Sequence, residues 1–221
     1  MGFKGSSNQI MHAILIHGMG RTPLSMCLLA YRLRKAGFKT SLFGYCVTFE
    51  NWESCTMRLR KFIEKKVVDD DFVVVTHSLG SALTRAVLPT MQHKPAACFF
   101  LAPPTQASAA ARRLAPRLCY RLLTGEMGQL LANQEFMSSL PIPEMPTKIY
   151  AGNAGVTGQY SPFGDEPNDG VLMVKETLLP GIPVQIVPSL HTFIMNNKAI
   201  AKDIVDTIKD GHNKLSLRVN R

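Results

Sequence analysis

The chain has 221 residues, of which 46% are hydrophobic, so it can bury one substantial core, and a single α/β domain is expected. No apolar stretch approaches the roughly 18 residues of a membrane span, and no secretory leader pattern is recognisable. The formal net charge of +9 is compatible with an anionic partner such as a membrane surface. The basic stretches carry no interleaved aromatic residues and no nucleic-acid motif, so nucleic acid is excluded as the expected partner.

Cysteine usage indicates a reducing compartment. The five cysteines are odd in number, scattered, and without metal-ligand spacing. We therefore expect a cytoplasmic protein without a disulfide framework, and no metal or cofactor. The acidic loop from Asp165 to Asp169 is compatible with weak Ca²⁺ binding.

Apolar runs alternate with helix-like stretches along most of the chain. Because strands this apolar are usually covered on both faces, the alternation predicts an α/β fold with a doubly wound, mostly parallel sheet of about six strands. Right-handed crossovers then place the carboxyl ends of all strands on one edge. The predicted strands are 10–16, 38–43, 72–75, 96–101, 147–151 and 184–187, and the predicted helices are 24–35, 52–67, 79–88 and 199–208, the last stopped by Gly211.

The single domain is predicted over residues 10–210. Residues 1–9 are expected to be a disordered or non-native start, and residues 211–221 a basic tail. One segment, 103–146, is too long for a simple crossover and is predicted to be a helical insertion. Its leucines at 114, 118 and 122 alternate with arginines at 113, 117 and 121. Two interpretations stay open, a small cap over a site and two ordinary packing helices.

Ser78 lies where the third predicted strand turns into a helix. The segment from Phe72 to Leu83 reads FVVVTHSLGSAL, which is the sequence form of a nucleophile elbow. Thr76 stands two positions before the serine, where glycine or alanine is usual because strand and helix pass closely. We expect small neighbours, Ser81 or Ala82, to make room for it. The alternative is an ordinary strand–turn–helix with a surface serine.

A serine nucleophile requires donors for the oxyanion that forms during acyl transfer. The loop His17-Gly18-Met19-Gly20 follows the first strand, and its glycines allow the Met19 N–H to face a substrate oxygen. The Leu79 N–H, directly after Ser78, is the expected second donor. His17 and Gly18 are expected to support this loop.

A serine nucleophile also requires a base and an acid that orients the base. His191 follows the last predicted strand and is the candidate base. Asp169 opens a turn in the loop after the fifth strand and is preferred as the acid over Asp165, which lies in a Gly/Pro-rich segment. His77 is next to Ser78, but the elbow is expected to direct its side chain elsewhere.

Together these motifs resemble the α/β-hydrolase fold, and within it the small bacterial lipases and esterases. A looser likeness links the chain to lipase-like proteins related to inositol deacylases. The resemblance implies a minimal α/β-hydrolase that cleaves small ester or lipid substrates through a Ser–His–Asp triad. An acyltransferase or thioesterase with the same triad, and a non-catalytic lipid or membrane binder, remain alternatives. The matching segments are His17-Gly18-Met19-Gly20, Thr76-His77-Ser78-Leu79-Gly80, Asn168-Asp169-Gly170-Val171 and His191.

Overall fold

The computed structural model describes residues 10–67 and 71–219, with side chains described up to residue 210. Six strands pair in parallel throughout and form one sheet. In chain order they are β1 (His12–Ile16), β2 (Lys39–Phe43), β3 (Phe72–His77), β4 (Ala97–Leu101), β5 (Thr147–Gly152) and β6 (Val184–Val187). Their order across the sheet is β2-β1-β3-β4-β5-β6. The predicted doubly wound parallel sheet of six strands is confirmed.

Helices cover both faces of this sheet. On one side lie α1 (Cys27–Lys35) and α7 (Lys198–Val219), and on the other α2 (Trp52–Lys66) and α3 (Leu79–Val87). The insertion contains α4 (Ala109–Leu114), α5 (Leu118–Ala132) and α6 (Gln134–Ser139). Short 3₁₀ helices span Pro23–Met26, Leu88–Thr90, Val174–Thr177 and His191–Asn196.

The strands alternate their side chains between two apolar layers. In β1, Ala13 and Leu15 face the layer of α1 and α7, whereas Ile14 and Ile16 face the layer of α2 and α3. All four are fully buried. Because successive strand residues point to opposite faces, a strand covered on both sides has to be apolar throughout.

Several predicted boundaries differ from the structure, and two of the differences have a clear physical reason. The third strand was expected to end at Val75, but it continues through His77 because its last residues pair with the end of β4. The final helix runs to Val219 and passes through Gly211, so the prediction that it ends before this glycine is wrong. One glycine costs a helix only about 1 kcal/mol relative to alanine, which its neighbours can offset. The prediction for residues 1–9 falls outside the described residues.

The helical insertion packs unevenly on the core. Met127 and Leu131 in the second half of α5, and Met137 in α6, are buried in the core layer of α2 and α3. The first half of α5 exposes Leu118 and Leu122 to solvent. None of the helices in the described residues is both long and apolar enough to cross a lipid bilayer.

Candidate active site

The predicted site residues all follow strands of the parallel sheet. His17 follows β1, Ser78 follows β3, Asp169 lies in the loop after β5, and His191 follows β6. Since the strands are parallel, their carboxyl ends share one edge, where sites of doubly wound folds form.

Ser78 occupies a sharp and strained turn between β3 and α3. Its φ of 50° and ψ of −122° are unusual for a residue with a side chain. The Ser78 N–H donates to the carbonyl of Leu101, 2.9 Å away at the end of β4, which anchors the turn to the neighbouring strand. The turn therefore has the shape predicted for a nucleophile elbow, and the Ser78 side chain remains partly exposed.

The packing beneath Ser78 explains why position 80 requires glycine and how position 76 accommodates threonine. A methyl group on Gly80 would lie 2.8 Å from the carbonyl oxygen of His17, so only glycine lets α3 approach the end of β1 this closely. Thr76 is fully buried, and its Oγ1 lies 2.7 Å from the Oγ of Ser81 on the first turn of α3. The extra bulk of Thr76 is thus accommodated by a hydroxyl pair, with Ser81 as one of the two small neighbours expected.

Thr76→Val should lower the free energy of unfolding by about 1–3 kcal/mol, because it leaves the buried Ser81 hydroxyl without its partner. Thr76→Val combined with Ser81→Ala should recover part of this loss, since an apolar pair leaves no unsatisfied hydroxyl. Urea unfolding of the two single variants and the double variant measures the coupling. Additive losses would show that the two hydroxyls do not depend on each other.

In the structure His191 lies within hydrogen-bonding distance of both Ser78 and Asp169 and links the two in one hydrogen-bonded row. His191 Nε2 lies 3.0 Å from Ser78 Oγ, and His191 Nδ1 lies 2.7 Å from Asp169 Oδ2. A carboxylate next to Nδ1 favours the tautomer with the proton on Nδ1, which leaves Nε2 free to accept the proton of the serine hydroxyl. These distances are compatible with the predicted roles of the three residues as nucleophile, base and orienting acid.

Asp169 is held in place by its own loop. Its Oδ1 accepts hydrogen bonds from the N–H groups of Val171 at 2.9 Å and Leu172 at 2.7 Å. Its backbone carbonyl accepts from the His191 N–H at 2.9 Å, so Asp169 contacts both the ring and the backbone of the histidine. Asp169 is 2% exposed, whereas Asp165 lies on the surface. Of the two candidate acids, Asp169 is the one that contacts His191.

His77 is a site residue that sequence reasoning missed. We expected its side chain to point elsewhere, but its Nε2–H donates to the backbone carbonyl of His191 at 3.0 Å. The two rings lie 4.9 Å apart. Burial, and then the neighbouring His191, hold the pKa of His77 well below its usual range, so this ring stays neutral. A polar residue at the end of a fully buried strand is the signal that could have revealed a partner.

His17 braces the loop that follows β1. Its Nε2 accepts from the Tyr45 N–H at 3.3 Å, and its Nδ1–H donates to the Gly18 carbonyl at 2.8 Å. The Tyr45 ring stacks on His17 at 4.3 Å, and its hydroxyl donates to the His17 carbonyl at 2.9 Å. Burial lowers the pKa of His17, which favours the neutral ring that these bonds require.

The braced loop lies directly against the serine. A methyl group on Gly18 would sit 3.0 Å from Ser78 Cβ, so the backbone that leads into Met19 passes beside the nucleophile candidate. Leu79 opens α3 immediately after Ser78, where helix N–H groups lack intrahelical partners. Both N–H donors remain predictions. Within residues 10–67 and 71–210, no group of three His, Cys, Asp or Glu side chains is arranged to hold a metal ion.

Comparison with solved structures identifies the fold. Phospholipase PlaB from Legionella pneumophila superimposes with a TM-score of 0.74 at 14% identity, over 96% of this chain and 62% of that chain. A metagenomic carboxyl esterase gives 0.69 at 16% identity, over 96% and 78%. The mature lipase BlEst2 from Bacillus licheniformis gives 0.59 at 18% identity, over 88% and 90%. No protein-family model and no curated protein matches the chain. The protein has the α/β-hydrolase fold.

Proposed function

We propose that the protein is a serine hydrolase that cleaves carboxylic esters through an acyl-enzyme intermediate. The observation that carries this proposal is the row from Ser78 Oγ through His191 to Asp169, with separations of 3.0 and 2.7 Å. The strained turn at Ser78 adds support, because such strain clusters at functional sites. The esterase, lipase and phospholipase among the structural neighbours have the same fold and are consistent with this chemistry.

The first half of the proposed reaction forms the acyl-enzyme. Ser78 Oγ attacks the ester carbonyl while His191 Nε2 accepts its proton, and Asp169 stabilises the charged imidazole. The N–H groups of Met19 and Leu79 hold the oxyanion of the tetrahedral intermediate. Collapse of this intermediate breaks the ester C–O bond, and the leaving alcohol takes the proton from His191.

The second half returns the enzyme to its starting state. Water attacks the acyl-enzyme as His191 Nε2 accepts one of its protons. The new intermediate collapses to a carboxylic acid, and Ser78 recovers its proton from His191. If an alcohol, amine or thiol replaces water, the same steps transfer the acyl group, and a thioester substrate would make the protein a thioesterase. The complete row of catalytic candidates argues against a non-catalytic lipid binder on this scaffold.

The proposal is tested with a fluorophosphonate probe and p-nitrophenyl esters of increasing acyl length. Wild-type protein should be labelled at Ser78 and should release p-nitrophenol, with the acyl series defining the preferred substrate. Competing alcohol acceptors, followed by product analysis, separate hydrolysis from acyl transfer. Folded protein that is neither labelled at Ser78 nor active on any ester or thioester would contradict the proposal.

His77→Phe should lower kcat about 10- to 100-fold with little change in KM, because displacing a catalytic group by about 1 Å has costs of this order. A planar ring is kept, but the hydrogen bond that holds the His191 backbone is lost. Steady-state kinetics on a soluble ester measure the effect. The control is His93→Phe, since His93 is exposed and packs edge-on against Phe72 at the start of β3, whereas Ser78 follows the end of that strand. An unchanged kcat in His77→Phe would show that Asp169 alone positions His191.

A further inference from the structure

The first half of α5 exposes an unusual combination of leucines and arginines. Leu118, Leu122 and Leu123 are each about two-thirds exposed, at 68%, 66% and 67%. Arg117, the residue directly before α5, and Arg121 are also exposed. Leu118 and Leu122 are four residues apart and Arg121 lies three residues after Leu118, so leucine and arginine side chains are neighbours on the exposed start of this helix. We call this surface the cap face.

The exposed phenyl ring of Phe49 extends the cap face. Thr48 Oγ1 donates to the Leu123 carbonyl at 2.7 Å, which ties the turn carrying Phe49 to the start of α5. Phe49 is 87% exposed. Large apolar side chains grouped on a surface in this way indicate an interaction site, whereas single ones need no explanation.

The charged residues around the cap face are almost all positive. Between residues 107 and 133 the sequence holds four arginines and a single acidic residue, Glu126. The Glu126 carboxylate is engaged, since its Oε2 accepts from the Trp52 N–H at 2.7 Å. Among the described residues, none of these arginines forms an ion pair. The cap face is therefore apolar and cationic at once.

The cap face lies on the edge of the sheet that carries Ser78. At Gly125 the backbone leaves helical geometry, with φ 54° and ψ −145°, and a methyl group there would lie 2.7 Å from the Val47 carbonyl. Tyr45, two residues earlier, braces the His17 loop beside Ser78. On the other side of the site, Leu190 and Phe193 flank His191 in sequence and are 41% and 57% exposed.

We propose that the cap face docks on an anionic lipid bilayer and presents the Ser78 edge to the membrane surface. Leucines that enter the acyl boundary beside arginines that meet anionic headgroups are the two components of interfacial binding. A nucleic acid would match the arginines but not the leucines. The proposal concerns a partner and goes beyond the proposed esterase reaction, so it does not depend on catalysis.

The test is cosedimentation of the full chain with two kinds of vesicle, pure phosphatidylcholine and phosphatidylcholine mixed with phosphatidylglycerol. Wild type and Ser78→Ala should both bind the anionic vesicles, and neither should bind the neutral ones strongly. Arg117→Gln with Arg121→Gln should weaken binding about 25-fold, at about fivefold for each arginine. Leu118→Ser with Leu122→Ser should weaken it at least about tenfold.

A matched control is Lys61→Gln with Lys65→Gln, an equal loss of charge from the exposed surface of α2. This variant should bind almost as wild type does. Equal binding to neutral vesicles, equal loss in the α2 control, or full binding by the leucine variant would each overturn the proposal. So would a dimer that the leucine changes dissociate, because the cap face would then contact a second copy.

Hydrolysis of a soluble short-chain ester separates this proposal from the proposed function. The arginine, leucine and lysine variants should all keep this activity, since none of the altered residues touches the site. Wild type that hydrolyses the ester without binding vesicles would overturn the docking proposal alone. Wild type that binds anionic vesicles without any esterase activity would overturn the proposed function alone.

Discussion

Ser78→Ala, His191→Ala and the double variant are all expected to lower kcat by about 10⁶-fold, the scale found when the serine or histidine of a protease triad is removed. The physical reason is that attack and proton transfer are one event. The hydroxyl is a weak nucleophile until His191 Nε2, 3.0 Å away, takes its proton. Either deletion should therefore stop the reaction almost as completely as both.

The losses of kcat in the two single variants should not add up in the double variant. Residual activity should be similar in the three variants, and it should come from substrate binding and the oxyanion donors alone. Steady-state kinetics on one soluble ester, with circular dichroism to verify folding, provide the measurement. Losses that multiply in the double variant would mean that Ser78 and His191 act independently, which the proposed mechanism does not allow.

The sheet could be predicted from the sequence because its signals are local. Most strands are short, largely apolar runs between helix-like stretches, and β6 has its predicted bounds, Val184 to Val187. The errors lie where a boundary depends on distant residues. The end of β3 is one example, because its last two residues are held by pairing with β4 rather than by their own pattern.

The site was predictable to the extent that its residues follow strands. Parallel strands bring Ser78, Asp169 and His191 to one edge whatever the details of the loops. The supporting contacts were not predictable, because they join residues far apart in the chain. His77 bonds to a carbonyl 114 positions away, and Tyr45 braces His17 across 28 positions. No spacing rule relates such pairs, although the burial expected for a strand end indicates that His77 needs a partner.

The structure also explains why one of two nearby carboxylates contacts His191. Asn168 Nδ2 donates to the carbonyls of Val156 and Glu166, and its Oδ1 accepts from the Gly170 N–H. This buried amide folds the loop so that the next side chain, Asp169, turns inward. Asp165 lies before the turn that Asn168 holds, and its side chain stays on the surface. The distinction depends on a side-chain network, so composition alone left both residues as candidates.

Asp169→Asn is expected to lower kcat about 10⁴-fold while the fold is kept, the scale of the same change in a protease triad. The amide oxygen can still accept from the Val171 and Leu172 N–H groups, which are 2.9 and 2.7 Å from Oδ1. The amide NH₂ then faces His191 Nδ1, where the carboxylate accepted a hydrogen bond. His191 would move its proton to Nε2, and Nε2 could no longer accept the proton of Ser78.

Asp165→Asn is the matched control, because it removes the same charge from the same loop without contacting His191. Kinetics on a soluble ester should show nearly wild-type activity in Asp165→Asn and the large loss in Asp169→Asn. The two should unfold at similar temperatures, because the loop bonds of Asp169 survive the change. A comparable loss in Asp165→Asn would mean that the loop rearranges to use the other carboxylate. Wild-type activity in Asp169→Asn would mean that the ring of His191 is oriented without an acid, with its backbone bonds to His77 and Asp169 sufficient for the task.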